Sequence, residues 1–299
     1  MLDKNLLLVD IGGTNIRYAY SNIGDSDFVS ENKAELDSLN DFDNLISELL
    51  ADADVKNIVF SVAGPKVNNS IKMTNRNFEI DADEIRKRFN LESCYLLNDW
   101  ESIGYSIRTF TENDFDTFKE GQPFNDTFLV IGPGTGLGAS VISGNNVIAT
   151  EIGNTNLGLP ALKSLLEINS DEFNVLEDVI SGTGISRMFE IKTGNKVKSE
   201  EIFSLNGDDD AIEVINMFTI AFARTLSDIS LAFSSGGGII LAGSFSRSFL
   251  RIAKKDLFNK HFLDGKSDIH KEILNKVGIK VANKGYTCLF GSLNYVNSI

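Results

Sequence analysis

Two periodicities divide this chain. Short, mostly apolar runs end in glycine, asparagine or aspartate, and between them lie longer stretches with an apolar residue at every third or fourth position. The first kind predicts strands and the second amphipathic helices, so the chain reads as α/β. Residues 6–9 are apolar, end in Asp10, turn through Gly12 and Gly13, and resume as the alternating run 16–20. That is strand, tight turn and returning strand, with no helix after the glycines. Phe28 and Val29 give a short third strand, and residues 39–51 carry Phe42, Leu45, Ile46, Leu49 and Leu50 on one helical face. A strand over 57–62 stops at Ala63-Gly64-Pro65, and Asp81 or Asp83 caps a short helix ending near Phe89. A strand over 95–97 runs directly into Asn98-Asp99 and a helix over 100–108.

The opening motif then recurs. After a polar passage over 109–126, the segment 128–142 again reads strand, turn, strand, with Gly132, Gly134, Gly136 and Gly138 at the turn. Val9 and Ile131 lie 122 positions apart, as do Gly12 and Gly134, which sets Thr135 against Gly13 and Gly136 against Thr14. Residues 147–150 close a hairpin around Gly144-Asn145-Asn146. Glu151-Ile152-Gly153-Asn154 opens a polar loop, and Glu177 precedes a turn at Ser181-Gly182-Thr183-Gly184. The longest helix starts at 208–210 and runs to Phe233, with Ile212, Ile215, Phe218, Phe222, Leu226 and Ile229 as its buried stripe. Gly236, Gly237 and Gly238 stop it, and a strand over 239–242 ends in Gly243. Ser244 or Ser246 caps a helix reaching Phe258, and residues 287–296 form the last helix, where Gly291 allows close packing.

Composition narrows the class. At 299 residues the chain can form two domains, each with its own core, and 42% hydrophobic residues with four prolines describe a soluble globular protein. No apolar run approaches the roughly 18 residues of a membrane span, and no signal peptide opens the chain. A net charge of −14 and a pI near 4.6 argue against nucleic acid or an anionic membrane as partner. Cys94 and Cys288 lack ligand spacing and read as reduced thiols of a cytoplasmic protein, and His261 and His270 have no metal-site pattern around them.

An acidic protein that holds a nucleotide must do so locally. Glycines at a strand-to-strand turn let several backbone N–H groups point into one small volume, which suits a phosphate. At the strand's end, Asp10 can hold a hydrated Mg²⁺ beside that phosphate. An ordinary glycine-turn hairpin meets the same pattern, but two copies suggest two related half-domains facing each other across a nucleotide. The run Gly134-Thr135-Gly136-Leu137-Gly138-Ala139 also fits a variant of the dinucleotide fingerprint, which requires a following helix; residues 139–142 read as strand, so that reading fails. Asp99 ends a strand and begins a helix. Asn98 or Asp99 can cap that helix; alternatively Asp99, kept ionised by the helix dipole, can accept a proton from a substrate hydroxyl. Glu151 and Glu177 suit either a solvated surface or a ligand. Glycines on both sides of 239–242 would let a flat adenine lie against the backbone, and a plain helix C-cap explains the first set equally well.

Taken in order, these segments resemble bacterial glucokinase, the hexokinase-like, actin-like ATPase family of the non-ROK type, from Leu6 to Val296. The resemblance is carried by Asp10, Gly12, Gly13, Thr14 and Asn15 as first phosphate motif and by residues 132–138, with Gly134, Thr135 and Gly136, as second. Met73-Thr74-Asn75, the pair Asn98-Asp99, the turn with Thr183 and Gly184, and an adenosine motif from Gly237 to Gly243 complete it. It implies two ribonuclease-H-like α/β domains, residues 1–109 plus 286–299 and residues 110–285, with the active site in a cleft between them. It also implies an ATP:hexose 6-phosphotransferase that uses ATP and Mg²⁺, acts most readily on glucose, and works as a cytoplasmic homodimer. By the same resemblance Asp99 takes the proton of the sugar 6-hydroxyl, and Asn98, Glu151, Asn154 and Glu177 grip the sugar. Asp10 orients Mg²⁺ through water. One departure stands out. The family loop Glu-Gly-Gly-His is here Glu151-Ile152-Gly153-Asn154, so a shorter neutral amide replaces the histidine. Losing one polar contact to a buried hydroxyl costs on the order of 1–3 kcal/mol, enough to retune the site toward another hexose. A non-catalytic sugar- or ATP-binding regulator of the same fold is the alternative, and it would be expected to lack Asp99 or Asp10.

Overall fold

The computed structural model describes the whole chain except residues 1, 13–14, 36–38, 74–78, 206 and 286, together with the side chains of residues 15, 35 and 39–41. The described residues form two compact units, Met1–Thr111 with Lys284–Ile299, and Glu112–Asn283.

The first unit is built on a five-stranded sheet in the order Val29–Glu35, Asn15–Ser21, Leu6–Ile11, Asn57–Val62, Ser93–Asn98. Leu6–Ile11 lies antiparallel to its hairpin partner Asn15–Ser21 and parallel to Asn57–Val62. The opening run is apolar without interruption because both of its faces are covered. Leu7, Val9 and Ile11 pack with Phe42, Ile46 and Leu49 of the helix Leu39–Asp52, whereas Leu6 and Leu8 pack with Leu289, Leu293 and Val296 of the C-terminal helix Thr287–Ser298. That last helix lies against the helix Asp99–Ile107 at backbone distance. A Cβ added at Gly291 would stand 1.7 Å from the carbonyl oxygen of Ser102. Asn294 Nδ2 donates to the Tyr105 carbonyl at 2.6 Å, and the Tyr295 ring meets those of Tyr95 and Tyr105 edge-on. Asp81, one of the two residues proposed from sequence, caps the helix Ala82–Arg88 by accepting the N–H groups of Asp83 and Glu84.

The second unit carries a six-stranded sheet in the order Asn146–Thr150, Leu137–Ser143, Thr127–Pro133, Gly238–Leu241, Ile279–Ala282, Phe115–Lys119. Its first five strands repeat the order of the first unit: an antiparallel hairpin, a third strand outside it, and two parallel strands inside it. The turns differ by one residue. Val9 and Ile131 are 122 positions apart, but their cross-strand partners Tyr18 and Ala139 are 121 apart, so the second turn is the tighter. The long helix Asp209–Phe233 buries Val214, Phe218, Phe222, Leu226 and Ile229 against this sheet's core, while Ile212, predicted on the same stripe, is exposed. By length and composition this helix could cross a membrane, yet most of its apolar window is buried in the unit's own core.

The structure departs further from the pattern-based expectation: the single helix expected from Ser244 to Phe258 is two, Ser244–Ile252 and Lys255–Leu263, and three other segments differ as well. The passage 109–126 contains the edge strand Phe115–Lys119, which gives no alternating signal because Asp116 and Thr117 are both exposed and Lys119 turns its ammonium onto the Leu274, Asn275 and Val277 carbonyls. Ser181 to Gly184 is not a free turn but the start of the helix Gly182–Thr193, with Ser181 Oγ accepting the Gly184 N–H as N-cap. Neither Ser244 nor Ser246 caps the helix Ser244–Ile252; Gly243, at φ +95°, makes the sharp entry, and Ser246 Oγ donates back to the Ala242 carbonyl at 2.9 Å.

Candidate active site

In the first unit, Leu6–Ile11, Asn57–Val62 and Ser93–Asn98 are neighbouring parallel strands, so their C-terminal ends lie side by side, the edge at which open α/β sheets hold ligands. Register sets Asp10 beside Ser61, and Val62 beside Asn98. The Asp10 carboxylate is largely buried, 3.5 Å from the Arg17 guanidinium across the hairpin, with the Cys288 thiol beside it. Burial pushes its pKa above the ordinary 3.8; Arg17 and Cys288 offset part of that rise. Cys288 arrives from the first turn of the C-terminal helix and also lies 3.9 Å from the Asp99 carbonyl oxygen. Its thiol is held well above its ordinary pKa, first by burial and then by the charges of Asp10 and Asp99. No spacing in the sequence points to this thiol, because a distant helix delivers it.

The two sequence readings of Asn98-Asp99 turn out to divide between the two residues. Asn98 is the cap: its Oδ1 accepts the N–H groups of Trp100 at 2.9 Å and Glu101 at 3.3 Å, and Glu101 Oε2 accepts the Asn98 N–H in return. Asn98 Nδ2 donates to the Gly64 carbonyl at 2.8 Å, which ties down the end of the neighbouring strand. Asp99 is the first helical residue, half-buried, with Oδ1 accepting the Trp100 N–H at 3.0 Å. Gly12 is half-buried at the hairpin's turn. Gly13, Thr14, the Asn15 side chain, and Thr74 and Asn75 lie outside the described residues.

The second unit gathers the other candidates around its glycine turn. Gly134 N–H donates to the Gly136 carbonyl at 2.8 Å, and the Leu137 N–H donates to Glu177 Oε2 at 3.1 Å, so two of the turn's four N–H groups are committed within the protein. Thr183 Oγ1 donates to the Thr135 carbonyl at 2.8 Å and the Gly182 N–H to the Gly134 carbonyl at 2.7 Å. Glu151 is exposed; its pKa is raised, first by partial burial and then by the nearby charge of Glu177, and is eased by Asn154, whose Nδ2 lies 3.5 Å away. Glu151, Asn154 and Glu177 therefore belong to one acidic group beside the turn.

Two of the nucleotide candidates, Gly184 and Gly237, stand differently from expectation, while a third, Gly243, lies beside the turn. Gly184 is buried, with its N–H spent on Ser181, and a Cβ there would meet the Val179 carbonyl at 2.5 Å, so it is a packing position. Gly237 precedes the strand Gly238–Leu241 at the end remote from the glycine turn, about 13 Å of strand away, and its missing Cβ admits the Phe128 ring. Gly243, exposed at the strand's other end, lies on the same side as Pro133 and the turn. The pairing of Gly237 with Gly243 around an adenine is corrected accordingly: parallel register puts them at opposite ends of one strand.

The repeated five-strand order, with a strand-turn-strand hairpin at the head of each sheet, is that of the actin-like ATPase fold, and the family match below makes the chain a sugar kinase of that fold. A glucokinase crystal structure from an Antarctic psychrotroph shares that fold at a TM-score of 0.77 with 22% identity, over 100% of each chain. So does a ROK family glucokinase from Streptomyces griseus, solved in complex with glucose and AMPPNP, at 0.68 with 16% identity over 97% of this chain and 98% of the other. The Glucokinase of Chelativorans sp. (strain BNC1) is 25% identical over 329 aligned positions, covering 100% of this chain and 93% of the relative. The Glucokinase family profile matches residues 7–298. The chain belongs to the Glucokinase family and, with it, to the ATP-dependent glucose kinases.

Proposed function

We propose that Asp99 is the general base of this kinase. What carries the reading is the division of labour at the start of the helix Asp99–Ile107: Asn98 caps the backbone, while the adjoining carboxylate sits in the first turn, where the helix dipole favours its ionised form. Asp99 accepts the proton of the glucose 6-hydroxyl as that oxygen bonds to the γ-phosphorus of ATP, the bond from phosphorus to the β,γ-bridging oxygen breaks, and ADP leaves. Glu151, Asn154 and Glu177 hold sugar hydroxyls, with the second N–H of Asn98 as a further donor. Donors at Gly12, Gly13 and Thr14 and the N–H groups of Thr135 and Gly136 receive the phosphates. Phosphoryl transfer asks mainly for positioning and charge neutralisation, which such a set supplies.

Asp10 suits Mg²⁺: it is a single, largely buried carboxylate at a strand end, the sparse protein contribution that this ion accepts when phosphates and water complete its shell. Bound there, the ion would neutralise charge on the β- and γ-phosphates. The two cysteines lack the spacing of the ROK zinc motif, which supports the non-ROK branch, although ROK structures share the fold. We assign the enzyme to the cytoplasm as a homodimer on the family's pattern.

The test is ADP release with Mg-ATP over glucose, mannose, fructose, glucosamine and N-acetylated amino sugars, repeated with Asp99→Asn. Glucose-selective turnover in the parent, with kcat reduced about 10²- to 10⁴-fold in the variant, is expected. Near-normal turnover by the variant overturns the assignment of the base. Preference for another sugar would make the Ile152–Asn154 loop the point of discrimination.

A further inference from the structure

Glu177 does something that the sugar-binding role of the acidic group does not require. Its Oε2 accepts the Leu137 N–H at 3.1 Å, inside the glycine turn. Gly136 makes room for it, since a Cβ at that position would stand 2.4 Å from the same oxygen. The residues that follow continue the hold: Gly182 N–H on the Gly134 carbonyl at 2.7 Å and Thr183 Oγ1 on the Thr135 carbonyl at 2.8 Å. Ser181 Oγ closes the strap by donating to the Glu177 carbonyl at 2.6 Å. Residues 134, 135 and 137 are thus each gripped from one segment, and the grip by Glu177 is the charged one. Glu177 is also close enough to Glu151 for its charge to be felt there.

We infer that Glu177 is a positioning residue for the phosphate-binding turn, and that one carboxylate serves both substrates: Oε2 fixes the turn that receives ATP, while Oε1 faces the sugar's hydroxyls. This rests on the sugar and phosphate roles proposed above. A carboxylate has acceptor capacity for both tasks at once, so neither substrate displaces the other. The turn is set before ATP arrives, and ordering it costs the nucleotide nothing.

The experiment is AMPPNP binding without sugar, by calorimetry, alongside steady-state KM values for glucose and ATP, on parent, Glu177→Ala, Glu177→Gln, Glu151→Ala and Gly136→Ala. Glu177→Ala should weaken sugar-free AMPPNP binding about tenfold or more, the scale of one charge-assisted hydrogen bond, and raise KM for both substrates. Glu177→Gln keeps an acceptor oxygen and should recover much of the AMPPNP affinity. Gly136→Ala, which pushes the carboxylate off the turn, should lower AMPPNP affinity while disturbing glucose KM less. Glu151→Ala should affect glucose alone. Unchanged AMPPNP affinity in Glu177→Ala, with its melting temperature intact, overturns the inference and leaves Glu177 a sugar ligand only. A parent that turns over no sugar overturns instead the reading on which it rests.

Discussion

Replacing Gly291 by alanine adds one carbon at a place where two helices touch through their backbones. The new Cβ would lie 1.7 Å from the Ser102 carbonyl oxygen, less than half an ordinary contact distance. The obstacle is main chain, so no rotamer change relieves it, and Thr287–Ser298 must move off Asp99–Ile107 by about 1.5 Å or more. Overpacking of this kind costs about 1–3 kcal/mol, which lowers Tm by roughly 2–10 °C for a chain of this size. The effect reaches the chemistry too. Cys288 sits on the same helix less than one turn away, against Asp10 and the Asp99 carbonyl, so the shift disturbs the ends of both strands that carry the acidic residues. A misplacement of about 1 Å at a reacting group can cost about 10²-fold in rate. The assay is a near-ultraviolet circular dichroism melt, which reads the packed rings of Tyr95, Tyr105 and Tyr295, together with kcat at saturating glucose. An alanine variant with parental Tm and parental kcat would refute the reasoning, because it would mean the helices are not held at backbone distance in solution.

Other substitutions probe single interactions. Because burial raises the Asp10 pKa above 3.8, the folded protein binds more protons than the unfolded chain as pH climbs through the window above that value, and stability falls there. Asp10→Asn removes that loss, so its advantage over the parent in urea midpoint should grow from acid to neutral pH, while its turnover drops. Asn98→Ala deletes the cap and the tie to Gly64 and should cost about 1–2 kcal/mol in chemical denaturation, with Asn98→Asp, which keeps the capping oxygen, costing less. The Cys94 thiol is pushed up to about 12 by burial and Cys288 is raised well above its ordinary value, so both should resist iodoacetamide in the native protein and react on unfolding.

Sequence pattern alone reached the parts of this protein whose signals are local. Each glycine turn is framed by strands that alternate or run apolar, so both hairpins could be read directly, as could the strand that delivers Asn98-Asp99 into a helix. The duplication was visible too, though counting residues could not reveal that the second turn is one shorter; that is a matter of register. What escaped has in common that distant chain supplies it. Cys288 comes to Asp10 from the far end of the sequence. Glu177 was legible as a candidate sugar ligand, but its bond to the Leu137 N–H was not, because the two residues are 40 positions apart and meet only when the short helix Leu176–Val179 comes up to the turn. Gly237 and Gly243 flank the same strand in the sequence, but only tertiary register shows that flanking a strand means standing at its opposite ends.

The first unit has its own timetable. Residues 112–283 are contiguous and contain every strand of their sheet, so the second unit can fold as it leaves the ribosome. The first unit starts earlier and finishes later: Leu6 and Leu8 have no cover on one face until Leu289, Leu293 and Val296 are made. The usual order, in which N-terminal domains mature first during synthesis, is thereby inverted. A chain that stops anywhere within the second unit carries Asp10 and Asp99 without the thiol and the helix beside them. Without the helix Thr287–Ser298, the face of the first unit's sheet that carries Leu6 and Leu8 is left uncovered by Leu289, Leu293 and Val296.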